Sequence, residues 1–293
     1  MKFSIITPVY NGSQFIRETL DSVIYQKGDF DIEYIVIDGD SSDNTVEILK
    51  EYEQDINTRK INPKCNSLTF TWKSEKDNGM YDAINKGFAM ATGDIYAYIN
   101  ADDLYEDNSF NVIKKSLETF PEIEWVKGVT SYLENAKYTK GSCYIYNQRW
   151  IYEGYYGTIA PFIQQDSVFW SKGLWNKIKP IDTNLRLAGD YYMWTSMAQH
   201  KPLYSLDAKV SIFRKRRGQL SQDMDSYRIE QESVRIVHGI ETYAIKLFFI
   251  LSRKIPSLLS NLLYRLFFIE KNQHYISFSN NTPIKTQAKS YKL

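Results

Sequence analysis

Four apolar runs of strand length alternate with segments of helical period over the first hundred residues, and that order leaves few folds open. "KFSIITPVY" is short and nearly continuously apolar, ended by Pro8 and Gly12. "SQFIRETLDSVIYQ" follows, with Ser13 placed to cap a helix whose Ile16, Leu20, Val23 and Ile24 share one face. "EYIVID" lacks alternation, as a strand buried on both faces does. "SSDNTVEILKEYEQ" reads as a second helix with Ser42 or Asp43 as cap, "SLTFTWKS" as a third strand, "YDAINKGFAMAT" as a helix closed by Gly93, and "DIYAYIN" as a fourth strand. This β-α-β-α-β-α-β order predicts an α/β fold built on a parallel sheet with right-handed crossovers.

In such sheets ligands bind beyond the carboxyl ends of the strands. The residues just past those ends are Pro8–Asn11, Asp38–Asp40, Lys76–Asp82 and Asn100–Asp103, so acidic side chains gather on one edge. The run "IYAYINADD" ends an apolar strand in two adjacent carboxylates, Asp102 and Asp103. Hard oxygen ligands there suit Mg²⁺ or Mn²⁺, which proteins hold with one or two carboxylates plus substrate phosphates. The plainer alternative is a solvated turn, with Asp103 or Asp107 capping the next helix. Asp38 can accept hydrogen bonds from a base or a ribose, or simply end a strand in a turn. Neither the glycine-rich dinucleotide fingerprint nor a P-loop is present.

Composition excludes other classes. Lys plus Arg number 36 against 35 for Asp plus Glu, which gives no support for nucleic-acid binding. Cys65 and Cys143 fit no metal spacing and suit a reduced, cytosolic compartment. His200, His238 and His274 share no ligand spacing. The 23 tyrosines would suit sugar-binding surfaces, though a coding bias gives the same count.

"SIITPVYNGSQFIRETLDSVIYQ", "EYIVIDGDSSDNTVEILKEY" and "SEKDNGMYDAINKGFAMATGDIYAYINADD" resemble the family 2 glycosyltransferases of GT-A fold, and among them bacterial polysaccharide-assembly enzymes of colanic-acid or capsule type. The resemblance covers roughly residues 3 to 220. It implies a nucleotide-sugar donor, UDP by default, with Thr7, Pro8, Val9 and Tyr10 lining the nucleotide pocket, Asp38 on the base, and Asp77 and Asp82 near the ribose or donor sugar. "NADD" stands where the family has its metal-binding Asp-x-Asp, so Asp102 would be the ligand, with Asp103 nearby. Asn100 replaces the first Asp, and Asn100 and Ala101 would lie close to the diphosphate. Asp190, in "LRLAGDYYMW", matches the family's base, although Gly189 stands where relatives carry Glu or Ser; a plain helix cap is the structural alternative. Gln164 and Gln165 would contact donor or acceptor. Arg214 and Arg217, in "FRKRRGQLS", would clamp the diphosphate. "NQRW" lacks the spacing and position of the processive-synthase motif, which implies a single transfer.

The expected organisation is a catalytic domain over 1–220 (nucleotide half 1–106, acceptor half 107–220), helices over 221–272 and a polar tail over 273–293. The apolar, basic stretch "YAIKLFFILSRKIPSLLSNLLYRLFFIEK" reads as helices packed on the domain or on a second copy, or as an interfacial element on the inner face of a membrane. The expected activity is inverting, metal-assisted transfer of one sugar to a saccharide or lipid-linked acceptor in surface polysaccharide assembly. The alternative is a sugar-nucleotide-binding protein without catalysis.

Overall fold

A computed structural model describes residues 1–157, 160–235, 240–252, 254–267 and 273–293; His238 lies outside them. The first hundred residues contain β1 (Lys2–Val9), α1 (Ile16–Ile24), β2 (Asp31–Asp38), α2 (Thr45–Asn57), β3 (Ser67–Ser74), α3 (Met80–Met90) and β4 (Ile95–Tyr98). Next come β5 (Leu104–Tyr105), α4 (Ser109–Thr119), β6 (Trp125–Glu134), β7 (Lys137–Thr139), α5 (Gln148–Glu153), β8 (Val168–Ser171) and α6 (Lys172–Trp175). The chain continues with α7 (Gly189–Ala198), β9 (Tyr204–Lys215), α8 (Met224–Val234), α9 (Ile240–Ser252), α10 (Ser257–Phe267), β10 (His274–Ser279) and β11 (Thr282–Gln287).

All the strands join one sheet, ordered β11-β10-β9-β6-β8-β4-β1-β2-β3, with β5 and β7 off that path. β1 pairs in parallel with β2 and β4, β2 with β3, and β6 with β9; β8 runs antiparallel between β4 and β6. The sheet is mostly parallel and flanked by helices on both faces. Neighbouring residues of β1 enter different cores, which is why its sequence does not alternate: Phe3 and Ile5 pack with Ile16, Leu20, Phe110 and Phe169, while Ile6 packs with Ile84, Trp125, Trp170 and Trp194. β3 is the edge strand and half-exposed.

Several local expectations are corrected. Ser13 does not cap α1, which begins at Ile16; its N–H instead donates to Asp43. α3 ends at Met90, and Gly93 donates to Ser4 Oγ, locking the chain against β1. Neither Asp103 nor Asp107 caps α4; Asn108 precedes it in a left-handed conformation. The segment 273–293 is not a bare polar tail. β10 and β11 form a hairpin that extends the sheet beside β9. Of the C-terminal helices, α9 and α10 bury Ile245, Phe248, Phe249 and Tyr264 against the body of the protein. Leu247, Ile250, Leu259 and Leu262 remain exposed on their outer side. No helix among the described residues is long and apolar enough to cross a membrane.

Candidate active site

The carboxyl ends of β1 to β4 are in register: Val9 lies opposite Asp38, Asp38 opposite Ser74, and Ile6 opposite Tyr98. The loops beyond them are tied together. Asn11 accepts from the Ser42 N–H and donates its own N–H to Ser41, and Gly12 donates to Thr45. A Cβ at Gly39 would stand 2.6 Å from Asp77 Oδ2, so the β2 loop closes on the loop before α3 only because that residue is glycine. Asp77 accepts from the Gly79 N–H, and Asp82 accepts from the Asn78 N–H while pairing with Lys86 at 3.3 Å.

Asp38 is fully buried. Its carboxylate accepts from the Ser41 N–H at 3.0 Å, from Ser41 Oγ, and from Ser74 Oγ at 2.6 Å. Of roughly four lone-pair positions on a carboxylate, about one is left for any ligand. Thr7 is buried with its hydroxyl 3.0 Å from Tyr34 Oη, and Pro8 and Val9 are buried too. Of the four residues expected along the nucleotide pocket, only Tyr10 offers its side chain to solvent, at 67% exposure.

The turn after β4 is gripped from the far side of the sheet. The Arg214 N–H donates to Asp103 Oδ1 at 2.9 Å, Arg214 Nε donates to the Asp102 carbonyl, and its Nη2 reaches Glu18 at 2.6 Å. Arg214 is therefore a brace rather than an available clamp. Arg216 Nε and Gln219 Nε2 both donate to Asp102 Oδ2, at 2.8 and 3.1 Å. The basic segment after β9 is thus pinned over Asp102. Arg217 is exposed. Burial, then the neighbouring Asp102 and Asp166 carboxylates, push the pKa of Asp103 well above the ordinary carboxylate range. Asn100 Oδ1 is buried with no hydrogen-bond partner. That orphaned oxygen and the Asp102 carboxylate are hard donors on one turn, and they fit Mg²⁺ or Mn²⁺. Among the described residues no three His, Cys, Asp or Glu side chains meet as an all-protein cage.

Asp190 occupies the first turn of α7, inside the helix rather than at its cap. Its Oδ1 accepts from the Tyr191 N–H at 2.7 Å. Burial pushes its pKa up to about 7, against the Tyr191 and Asp190 N–H groups and the Tyr227 hydroxyl, which favour the anion. The preceding loop is held by Glu230 of α8, which accepts from the N–H groups of Arg186, Leu187 and Ala188. Gly189 has a packing cause: a Cβ there would lie 2.6 Å from the Tyr81 ring, and Tyr81 Oη donates to the Leu187 carbonyl. The "YDAINKG" run and the Asp190 loop therefore fit together directly. Tyr98, at the end of β4, is buried and feels both Asp190 and Asp166, which links this loop to the Asn100–Asp103 turn.

Gln164 and Gln165 separate in the fold. Gln164 lines an open cleft, whereas Gln165 is buried in a short 3-10 turn, Gln165–Ser167, with its Oε1 unpartnered. Three residues of this region escaped sequence reasoning: Glu230, Tyr227 and Asp166. Asp166 is fully buried, has one unpartnered oxygen, and has its pKa pushed up to about 6 by burial. Its signal was a carboxylate two positions ahead of the wholly apolar "VFW".

The profile described as "Glycosyl transferase family 2" matches residues 4–174. A PGL/p-HBAD biosynthesis glycosyltransferase of Mycobacterium bovis is 35% identical over 106 residues, 36% of this chain and 37% of that protein. An uncharacterised glycosyltransferase of Nostoc sp. is 29% identical over 119 residues, 41% of this chain and 34% of that one. The match thus spans about a third of the length of these curated relatives. Among solved structures, S. aureus TarS 1-349 in complex with UDP-GlcNAc superposes with a TM-score of 0.56 at 20% identity, covering 91% of this chain and 71% of that one. Mannosyltransferase PcManGT from Pyrobaculum calidifontis, in complex with GDP-Man and Mn²⁺, gives 0.58 at 16% identity, covering 92% and 76%. These likenesses are to the GT-A fold. With its sheet order and its strand-end carboxylates, the chain belongs to glycosyltransferase family 2.

Proposed function

We propose that the protein is an inverting glycosyltransferase that moves a single sugar from a nucleotide-diphosphate donor, UDP-linked by default, to a saccharide or lipid-linked acceptor in surface polysaccharide assembly. The observation that carries this reading is Asp190: a carboxylate on a braced helix start, titrating near pH 7, where a general base works best. Its carboxylate takes the proton of the acceptor hydroxyl as the hydroxyl oxygen attacks the anomeric carbon. A single displacement needs no covalent nucleophile and inverts the configuration.

Asp77, Asp82 and the last lone pair of Asp38 face the nucleotide and donor sugar, and Tyr10 is the side chain exposed enough to cover the base. Asn100 and Asp102 would hold the divalent cation, with Asp103 behind them; when bound, the cation offsets the charge that builds on the departing diphosphate. For Asp102 to serve, Arg216 and Gln219 must release it, which frees the Arg216 guanidinium, beside Arg217, for the same diphosphate. The exposed leucines and Ile250 on α9 and α10, with Lys246 and Lys254 nearby, support peripheral contact with the inner face of a membrane, where a lipid-linked acceptor would be found; a second copy of the chain would suit the same face.

Asp190→Asn is the test. Transfer should fall by about 10²–10⁴-fold, the usual contribution of a general base. UDP binding with Mn²⁺, read by calorimetry, should stay within a few-fold of wild type. Retained turnover in this variant would refute the base. A wild-type protein that binds UDP but turns over no donor, even by hydrolysis, would instead favour a non-catalytic binder.

A further inference from the structure

A cleft of about 230 Å³ opens between β6, β7 and the loop after them. Its walls include Lys127, Thr130, Tyr132, Tyr144, Phe162 and Gln164, and no carboxylate lines it, although two lysines do. This is the composition of a small polar-ligand site: aromatic faces with a few placed polar groups.

Lys127 is the unusual member. It is 4% exposed, and its Nζ donates to one protein acceptor, the Gly128 carbonyl at 2.8 Å. An ammonium has three donors, so two remain. The Nζ lies 6.0 Å from the centre of the Tyr146 ring, the outer limit of a cation–π contact, which offsets only a small part of a desolvated charge. No carboxylate among the described residues pairs with it. Burial lowers its pKa to about 8, with the more distant Asp166 and Cys143 opposing that shift, so it remains mostly cationic near neutrality. A buried cation lacking a counter-ion is expensive to maintain, and a ligand anion is the natural way to offset it.

The cleft also adjoins the chemistry. Thr130, on its wall, donates to Asp166 at 3.4 Å and to Ser167 at 2.9 Å, and Asp166 in turn perturbs Asp103. Gln164 places the segment before β8 on the same wall. A saccharide seated here therefore lies against the turn that would carry the diphosphate.

We propose that this cleft receives an acceptor sugar bearing an anionic substituent, a carboxylate or a phosphate, with Lys127 as its counter-ion and Tyr132, Tyr144 and Phe162 as its stacking walls. The inference rests on the transferase reading above and adds the substrate class. The protein is titrated with glucuronate, glucose 6-phosphate and glucose by ligand-observed NMR, with inorganic phosphate as a further probe. At least one anionic sugar should bind about tenfold more tightly than glucose, the scale of one charge-assisted hydrogen bond. Preference for glucuronate assigns a carboxylate, and preference for glucose 6-phosphate assigns a phosphate. Lys127→Met keeps the aliphatic stem and should reduce the anionic sugars to the level of glucose while UDP binding is unchanged. Tyr144→Ala should weaken all three sugars alike, which places the sugar in this cleft even if Lys127→Met does not fold, and unchanged binding in that variant would remove the sugar from it. Equal binding of the three sugars, an anionic preference that survives Lys127→Met, or inorganic phosphate binding as tightly as glucose 6-phosphate would overturn the inference. UDP binding by the wild type reports separately on the transferase reading: if it persists without sugar selectivity, only the substrate class fails.

Discussion

Glu33 and Asp38 on β2 are buried carboxylates, and so is Asp166 ahead of β8, yet they are held in opposite ways. Glu33 accepts from Lys2 Nζ, Ser4 Oγ, and the N–H and hydroxyl of Thr92. Burial alone would raise its pKa, but those donors bring it down to about 2. Asp38 is engaged by Ser41 and Ser74. Across the sheet, Asp166 keeps an orphaned oxygen, and for both Asp166 and Asp190 burial outweighs the donors around them and raises the pKa, to about 6 and about 7. Buried polar groups are normally satisfied, so a carboxylate with an orphaned oxygen, or one whose pKa burial raises, marks a candidate functional position. In this protein Glu33 and Asp38 tie strands together, and the carboxylates whose pKa burial raises, Asp166 and Asp190, lie around the proposed reaction site.

The sharpest way to break that contrast is at Glu230. If Asp190 acts from a positioned loop, Glu230→Ala removes the acceptor for three N–H groups and should cut transfer by about 100-fold, the cost of misplacing a reacting group by roughly an ångström. UDP affinity should hardly move; equal losses in both would mean that α8 is only structural. Next comes Glu33→Gln, which should destabilise the fold by about 2 kcal/mol at pH 7 without touching kcat. Because the folded-state pKa of Glu33 lies below its unfolded value, the wild-type advantage is present above about pH 4.5 and disappears as pH falls through about 2. A gap between the two proteins that stayed constant down to pH 2 in urea titrations would contradict the network. The smallest effect is expected at Asp103→Asn. The raised pKa of Asp103 means the folded state holds a proton the unfolded chain gives up, so stability falls as pH rises from about 4 upward. The Asp103→Asn variant should therefore be more stable than wild type by about 1 kcal/mol at pH 8 and no more stable at pH 4. Thermal melts at the two pH values separate these outcomes.

The parallel half of the sheet was legible in the sequence because strands buried on both faces, such as β1 and β2, leave continuous apolar runs; the half-exposed edge strand β3 was read to its ends as well. The hairpin of β10 and β11 was not. "HYISFS" and "TPIKTQ" bury little beyond Ile276 and Pro283, and only the exposed edge of β9 recruits them. Asp102 and Asp190 could be picked out because each follows a recognisable run. Glu230 and Tyr227 could not, since their role exists only once α8 crosses α7, some forty residues away in the chain. Gly189 looked like a departure from the family and is instead a close fit to Tyr81. Arg214 illustrates the reverse: its charge suggested a phosphate clamp, and its geometry makes it a strut between Glu18 and the Asp102 turn.

The pH dependence of kcat/KM for transfer bears most directly on the role of Asp190, whose carboxylate titrates near neutrality. The expected profile rises about tenfold per pH unit up to a bend near pH 7 and then levels, as a base that must lose its proton requires. A rate that is flat from pH 5 to pH 8 would contradict it, because a carboxylate of ordinary acidity, or a different group, would then be taking the proton.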